Sequence, residues 1–562
     1  IDGANGVGVY LKGGTIANYG NITVNGSSNQ ADTVQEFTTP PTGKSVGGAA
    51  IDAPAGAQTA TVTINGVQQT PVVVNTFATN PIDVSASSIG LYVNTSGKDF
   101  TNSINGLGNL TQEADLIIGT EATEMTNSKS ILINDSRILD PYNNAIRTSG
   151  VANWNIYSGG LNWLATPTLN PNDGTMTSIY MVKIPYTAWA GKEETPINSS
   201  DTYNFLDGLE QRYGVENLGT RERALFGKLN SIGKNEAALF YQATDEMMGH
   251  QYGNVQQRIN STGNLLDKEL NHLQRDWRNP SKQSNKIKVF GMRDEYSTDT
   301  AGIIDYTSNV TGVAYVHEDE KIKMGNSDGW YAGVVNNRFK FKDIGKSKEN
   351  QTMIKLGVFK KMSPSSDHNG SLQWTIGGDV FAGINEMKRR YLVVDDIFEA
   401  KSNYNSYGAA LKTDLGYDIR LSERTHFRPY GALKMEYGRF NSIKEDRGEM
   451  RLEVKGNDYF SVKPEVGMEF KFVQPLAVRT NLSVGLTAAY ENELGKVGDV
   501  NNKGRVRYTS ADWFGIRGEK DDRKGNGKFD LNIGVDNTRF GVTVNGGYDT
   551  KGKNVRAGIG FR

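Results

Sequence analysis

The residues that most often carry catalysis or metal binding are few here and poorly spaced for it. The chain of 562 residues has no cysteine, which excludes a thiolate nucleophile, a thiolate zinc site and a disulfide frame together. Its five histidines, His250, His272, His317, His368 and His426, fall in separate stretches without a second ligand at metal spacing, and they read as ordinary surface or lumen side chains. No G-x-S-x-G, H-E-x-x-H or phosphate-loop string occurs. Asn170-Pro171-Asn172-Asp173-Gly174 resembles a calcium loop only at its start and lacks the Glu at the twelfth position, so it reads as a turn. Asp521-Asp522-Arg523-Lys524 reads as a solvated loop. These observations predict a protein that is not an enzyme, with no catalytic, metal or cofactor-binding residues, no cofactor and no legible ligand site. With 62 Lys and Arg against 63 Asp and Glu, a net charge of −1, no global basic field exists for nucleic acid to feel, and none is expected as a partner.

Chemistry of another kind, the sorting of side chains between oil and water, fills the second half of the chain. Val478, Thr480, Leu482, Val484, Leu486, Ala488 and Tyr490 share one face of an extended segment, and Arg479, Asn481, Ser483, Gly485 and Thr487 share the other. The same alternation sets Val462, Val466, Met468, Phe470 and Phe472 against Lys463, Glu465, Glu469 and Lys471, and Tyr407, Leu411, Leu415 and Tyr417 against Lys412, Asp414 and Asp418. Segments of about ten residues with aromatics near the ends of the apolar stripe are what a transmembrane barrel strand requires. Twelve are legible, near residues 286–294, 310–318, 329–341, 351–361, 371–387, 405–419, 427–440, 459–472, 477–491, 527–535, 538–548 and 554–562. Short links at 473–476 and 536–537 oppose long charged ones at 441–458 and 492–526, the asymmetry of periplasmic turns and extracellular loops. A soluble antiparallel barrel or sandwich would alternate in the same way with its apolar face inward. Twelve strands in series favour the membrane reading, because so wide a soluble barrel would have a lumen to fill.

Upstream of this region the period is helical. Val255, Ile259, Leu266, Leu270, Leu273 and Trp277 form one stripe, and Asn279-Pro280 stops it. A rod of about 34 Å, at about 1.5 Å per residue, is long enough to cross a bilayer's apolar slab. Its other side carries Gln256, Gln257, Asn260, Asn264, Lys268 and Asn271, so it cannot face lipid. It fits the inside of a polar tube, with a solvated linker helix beside the barrel as the alternative. Nowhere are there 18 consecutive apolar residues to make a transmembrane helix.

The amino-terminal part has a different composition. Residues 1–200 hold 8 Lys and Arg against 15 Asp and Glu, a net −7, and 13 of the 53 aromatics; the remainder holds 54 against 48, a net +6. Ile22-Thr23-Val24-Asn25-Gly26 returns as Val62-Thr63-Ile64-Asn65-Gly66, and Gly8-Val9-Tyr10 is echoed by Gly90-Leu91-Tyr92. Short β-branched runs at this spacing indicate a parallel β-solenoid whose coils bury their inner faces on one another, with a β-sandwich of Asn-Gly hairpins as the alternative. From 151 to 190 the aromatic density rises through Trp154, Tyr157, Trp163, Tyr180, Tyr186 and Trp189, which suits a cap on the solenoid's open end. The chain opens at Ile1 without an initiator Met or an apolar leader, as expected of a mature chain or an excised fragment.

This order of repetitive β segment, helix and twelve-strand barrel resembles the monomeric autotransporters (type V secretion) of Gram-negative outer membranes. Arg428-Pro429-Tyr430-Gly431-Ala432-Leu433, Val462-Lys463-Pro464-Glu465-Val466-Gly467 and the closing hairpin from Phe529 to Phe561 match the pattern of their barrels. Met181-Val182-Lys183-Ile184-Pro185-Tyr186-Thr187-Ala188-Trp189-Ala190, Tyr203-Asn204-Phe205-Leu206-Asp207-Gly208-Leu209-Glu210-Gln211-Arg212-Tyr213 and Asp245-Glu246-Met247-Met248-Gly249-His250-Gln251-Tyr252 are similar to the large fusobacterial outer-membrane autotransporter adhesins. The resemblance implies a mainly β chain: a parallel β-solenoid passenger end over 1–150, a cap or junction over 151–200, a helical linker over 201–283 with a pore helix at about 255–277, and over 284–562 a C-terminal twelve-stranded antiparallel transmembrane β-barrel with that helix in its lumen. It implies an outer-membrane anchor and translocation unit of an adhesin that displays its passenger at the cell surface for bacterial coaggregation or host-cell attachment, a virulence trait. An enzymatic passenger head absent from this chain is the alternative.

The implied partners are outer-membrane lipid, the barrel assembly machinery and surface molecules of other cells, with the chain itself a monomer. The stop at Gly560-Phe561-Arg562 departs from the terminal aromatic of such barrels, and a few further residues are expected. Arg258, Lys268, Glu269, Arg275 and Asp276 would hold the helix to lumen groups such as Lys412, Asp414, Lys463, Glu465, Glu469 and Arg479. Some autotransporters cut their passenger at a helix asparagine activated by lumen carboxylates; Asn260, Asn264 and Asn271 are present, and an uncleaved passenger is expected.

Overall fold

The computed structural model describes the short strands Ile22–Val24, Val62–Ile64 and Val67–Gln69, and residues 89–97, 113–192, 199–275, 283–321, 325–497, 502–519, 525–537 and 540–562. Two compact units are present, residues 1–189 with 212–241, and residues 190–211 with 242–562.

In the first unit the repeat seen in the sequence becomes a register. Ile22–Val24 lies parallel to Val62–Ile64 with Ile22 opposite Val62 and Val24 opposite Ile64, as stacked coils pair, while Val67–Gln69 pairs antiparallel on the other edge of Val62–Ile64 with Ile64 opposite Val67, as the hairpin alternative expects. The echo at Gly8-Val9-Tyr10 lies outside the described residues. Ile89–Val93, Glu113–Ile118 and Asn153–Ser158 form a second in-register parallel stack, with Leu91 opposite Leu116 and Leu116 opposite Ile156. Leu91, Leu116 and Ile118 are buried. An antiparallel sheet of Ser130–Ile133, Trp163–Leu169 and Met176–Lys183 follows. Helix α1 (Ser136–Thr148) is capped by the Asp135 carboxylate on the Arg137 N–H. The aromatic-rich stretch forms a core in which Tyr186 stacks on Phe240 and meets Tyr213 edge-on, and the Trp163 indole donates to Asn230.

Helices α2 (Ser199–Arg212), α3 (Arg221–Asn230), α4 (Ala237–Met247) and α5 (Val255–Arg275) occupy the region of helical period. The second unit is then a closed antiparallel barrel. Its strands are β1 (Gln283–Tyr296), β2 (Tyr306–Glu320), β3 (Ser327–Phe341), β4 (Lys348–Met362), β5 (Gly370–Val393), β6 (Asp396–Arg420), β7 (Thr425–Phe440), β8 (Asn457–Ala477), β9 (Thr480–Glu491), β10 (Asn526–Asn537), β11 (Gly541–Asp549) and β12 (Asn554–Phe561). Each pairs with the next, and β1 closes on β12 with Ile287 opposite Phe561 and Arg293 opposite Val555. All twelve strands legible in the sequence are present, most of them longer at both ends.

The alternation resolves which face is oily. Ile354, Leu356, Val358, Val380, Ile384, Leu411, Val466, Ile533, Val544 and Ile559 project outward and are exposed, whereas Glu349, Gln351, Lys355, Arg389, Glu436 and Glu469 point inward and are buried. An apolar outside and a charged inside invert the pattern of a soluble barrel and fit a barrel wetted by lipid. Two links differ from the sequence reading, and the one placed at 536–537 is the end of β10. The link placed at 473–476 continues as strand, and the turn falls at Val478 and Arg479, where Arg479 takes a positive φ of 61° and Val478 is 90% exposed. A two-residue hairpin turn often needs a left-handed residue, a demand that the apolar period does not register.

The barrel ends differ. Turns 321–326, 363–369, 421–424 and 478–479 mark one end; 441–456 and 492–525 mark the other. On the long-loop side, Ile443–Gly448, Leu452–Val454, Lys503–Val506 and Phe514–Gly515 extend the sheet beyond the rim of β6. Residues 199–211 of α2 dock on this extension, with Phe205 edge-on to Phe514 at 5.5 Å, the Asn204 amide donating to the Trp513 carbonyl at 2.9 Å, and the Gly515 N–H donating to Asp201 at 2.8 Å.

Candidate functional site

Helix α5 is enclosed by the barrel. Its apolar stripe, Val255, Ile259, Leu266, Leu270 and Leu273, is buried, and so are Gln256, Arg258, Asn260, Thr262, Asp267 and Glu269 on its other faces. The helix packs closest on the wall of β1–β4. That wall is small where the helix is bulky: a Cβ on Gly333 would lie 2.7 Å from Leu266 Cδ1. Trp277 and Asp276 of the expected stripe and ion pairs lie outside the described residues.

A buried polar helix is stable only when each group finds a partner, and α5 finds them in three tiers. At the long-loop end the Tyr252 hydroxyl donates to Glu445 at 2.9 Å, and Arg389 clamps the same carboxylate with two bonds of 2.7 and 2.9 Å. The Gln256 amide donates to Asn502 at 2.7 Å. Gly253 is required here, because a Cβ would sit 1.9 Å from the Arg517 carbonyl oxygen. In the middle, Arg258 pairs with Glu349, Lys268 with Asp549 and Lys288 with Glu269. Asn260 donates to Glu436 at 2.8 Å and Thr262 to Gln351 at 2.8 Å. Asp267 is the hub: its carboxylate receives Lys355 at 2.8 Å and Lys412 and Lys434 at 2.6 Å each. At the short-turn end Arg275 meets Asp414 at 2.5 Å and Glu469 at 3.2 Å and lies over the Tyr430 ring.

The last turn has its own closure. The carbonyls of Leu273, Gln274 and Arg275 accept from Lys286 at 2.7 Å, Lys361 at 2.5 Å and Lys471 at 2.8 Å. Carbonyls left over at a helix C-terminus attract cations through both hydrogen bonds and the helix dipole. Beside the helix, toward β6–β8, a cavity of about 530 Å³ is lined by Asn271, Lys412, Asp414, Lys463, Glu465 and Lys528 among others.

Of the lumen groups read from the sequence, Asp414 and Glu469 hold Arg275 as expected, and Lys412 holds the helix through Asp267. Lys463 reaches α5 at Asn260, at 3.3 Å. Glu465 instead accepts from Lys528 at 2.9 Å, and Arg479 lies in the β8–β9 turn. The sequence reading did not single out Asp267, Glu349, Lys355, Glu436 or Asp549. The available signal was the inward phase of each strand: on β4 Glu349, Gln351 and Lys355 share the polar phase opposite Ile354, Leu356 and Val358. Asn260 is the helix asparagine that touches a lumen carboxylate directly, Glu436.

Outside the spanning strands, α4 borders a second cavity of about 340 Å³ lined by Asp245, Glu246, Gln251, Ile303, Asp343 and Arg517. Burial raises the Glu246 carboxyl to about 7. Burial pushes the neighbouring Asp245 the same way, but His250 and Arg517 beside it outweigh that effect and bring it down to about 2. Burial lowers His250, which accepts the Arg517 N–H at 3.1 Å. Among the described residues no group of His, Asp and Glu is arranged to hold a metal.

Residues 287–547 match the family model of the Autotransporter beta-domain, which supports an outer-membrane location for the barrel. Among solved structures the chain is similar to the translocator domain of autotransporter NalP from Neisseria meningitidis, at 12% identity over 54% of this chain and 96% of that one with a TM-score of 0.38. It is similar to the transport unit of the autotransporter AIDA-I from Escherichia coli at 13% identity over 54% and 97%, with a TM-score of 0.40. The beta domain of the Bordetella autotransporter Brka is similar at 10% identity over 50% and 99%, with a TM-score of 0.36. No curated protein sequence matches the chain.

Proposed function

We propose that this chain is the membrane anchor and translocation unit of an autotransporter adhesin, with residues 1–189 the barrel-proximal end of a surface-displayed passenger that mediates attachment to other bacteria or to host cells. The observation that carries the reading is the direction of α5. Its C-terminal end leads into β1 at the short-turn end, and its N-terminal end lies among the long loops. With long loops outside, the chain immediately upstream of Val255 leaves on the extracellular side. Parallel coils stacked upstream then oppose backward sliding, because each docked coil buries apolar surface at about 25 cal/mol per Å². The passenger stays attached through α5 rather than being cut. The test inserts an epitope in the exposed turn at Asp173 of the full chain and labels intact cells. Labelling, together with loss of coaggregation or host-cell binding after protease shaving, supports the reading. An inaccessible epitope sinks the orientation, and adhesion unchanged by shaving sinks the adhesin.

A further inference from the structure

On the outer face of the barrel, four lysines stand directly opposite one another on four successive strands. Lys340 of β3 is opposite Lys348 of β4, Lys348 opposite Lys388 of β5, and Lys388 opposite Lys401 of β6. Arg447 of the loop strand continues the row opposite Lys401. The phase of each strand fixes the direction: Phe339, Glu349, Arg389 and Ser402, the immediate neighbours, point inward and are buried, so the lysines point out.

Like charges at opposed positions of a sheet destabilise it, and a row of them calls for a compensating anion. The carboxylates nearby do not supply enough. Glu399 takes Lys388 at 2.8 Å and Lys401 at 3.3 Å, and Glu386 lies on the outward phase of β5 opposite Asn350 and Asn403. Asp446 adds a third at 3.8 Å from Arg447, and against these three stand the four lysines, Arg338, Arg390 and Arg447. Among the described residues neither Lys340 nor Lys348 is paired with a carboxylate. The row also sits at a defined height. On each strand it lies four to six residues beyond the last large exposed apolar side chain, Val334, Ile354, Ile384 and Tyr407 respectively. At about 3.3 Å per residue and a tilt near 40°, that is roughly 10–15 Å beyond the last exposed apolar side chains, on the long-loop side.

We propose that this row is a binding girdle for the phosphate groups of outer-leaflet lipid headgroups, with the lysines taking phosphate as point charges and the outward Ile354, Ile384 and Tyr407 receiving the acyl chains below. A file of ammonium groups over an oily wall is complementary to an anionic glycolipid. The site needs only that the barrel spans the membrane, so it stands or falls independently of the passenger's role.

The test titrates the detergent-purified full chain with a bis-phosphorylated lipid A-type glycolipid and with its dephosphorylated analogue, and counts bound copies by native mass spectrometry. Each lysine near an anionic lipid surface contributes about fivefold in affinity. Lys340→Gln, Lys348→Gln, Lys388→Gln and Lys401→Gln together are expected to weaken phosphorylated glycolipid binding at least about thirtyfold after screening. The wild type should prefer the phosphorylated form at least about tenfold, and Arg424→Gln, in the β6–β7 turn at the opposite end of the barrel, should leave binding unchanged. Should the quadruple variant lose its folded gel mobility, the pairs K340Q/K348Q and K388Q/K401Q are each expected to weaken binding at least about fivefold. Equal binding of the two glycolipids, or equal binding by wild type and folded variants, overturns the girdle.

Discussion

Replacing Asp267 with Asn keeps the shape of the side chain and removes one negative charge from the middle of the lumen. Around it three ammonium groups, Lys355, Lys412 and Lys434, balance three carboxylates, Asp267, Asp379 and Glu436. The substitution leaves the cluster at a net +1 in a site where Lys355 and Glu436 are almost fully buried. Removing one partner of a buried pair costs about 3–5 kcal/mol. The lower end applies here, because Asp379 remains 2.7 Å from Lys412 and Glu436 remains 2.5 Å from Lys434. A loss of about 3 kcal/mol makes undocking of α5 about 150-fold easier. Amide hydrogen exchange over α5 in detergent reads that directly, since exchange follows the local opening equilibrium. Adding Lys434→Met to the variant restores neutrality and should recover at least about 1 kcal/mol in a double-mutant cycle. Exchange of α5 within threefold of wild type would refute the hub, and failure of the second change to recover protection would show that the loss is not electrostatic.

Three further outcomes follow from the same structure. Gly253→Ala places a methyl group on the Arg517 carbonyl and should cost at least about 2–4 kcal/mol, read as a lowered temperature for the heat-induced gel shift; Gly263→Ala, where the nearest atom is 3.5 Å away, should cost less than about 1 kcal/mol. Leu411→Arg, on a position 63% exposed near the middle of β6, should destabilise the barrel in lipid by about 2–4 kcal/mol, whereas a water-facing position would tolerate it, so unchanged stability in vesicles would contradict the lipid face. Glu246 has a folded pKa raised to about 7 by burial, so its protonated form is favoured by folding; its contribution is complete below pH of about 4.5 and is lost as pH rises toward 7. Screening at this partly exposed site limits it to about 1–2 kcal/mol, and Glu246→Gln should flatten the fall in midpoint between pH 5 and pH 8.

The barrel was legible because a strand in lipid obeys one rule, apolar outward at every second position, that no loop obeys for ten residues at a time. The parallel pairing of Ile22–Val24 with Val62–Ile64 was legible for a similar reason, since stacked coils repeat their own sequence. The lumen network was only partly legible. Period two tells that Lys355 and Glu436 point inward, but which of the many inward charges meets Asp267 depends on strand stagger and on the axial position of the helix, and neither leaves a mark in local sequence. Arg275 with Asp414 and Glu469 could be anticipated as chemistry, whereas Glu349 and Asp549 were fixed only by closure of the sheet. The hairpin at Val478 and Arg479 escaped because turn geometry selects by backbone angle, and an apolar residue in a turn still counts toward the strand period.

A charged lumen around a charged helix is a weak way to gain stability and a strong way to fix position. Apolar walls would hold any apolar stretch of a passing chain, in any register, with nearly equal strength. The pairs along α5 have no such tolerance. Sliding the helix by one turn, about 5.4 Å, brings Gly263 and Asn264, or Leu270 and Asn271, to the level of Lys355, Lys412 and Lys434, and none of those residues carries a charge. It also withdraws Arg258 from Glu349 and the last carbonyls from Lys286, Lys361 and Lys471. Each displacement therefore leaves several buried charges uncompensated at once, a penalty far larger than the net gain of any pair when seated. The wall thus arrests one register of one helix, and that register places Gly253 against Arg517 and the chain just upstream of α5 among the long loops.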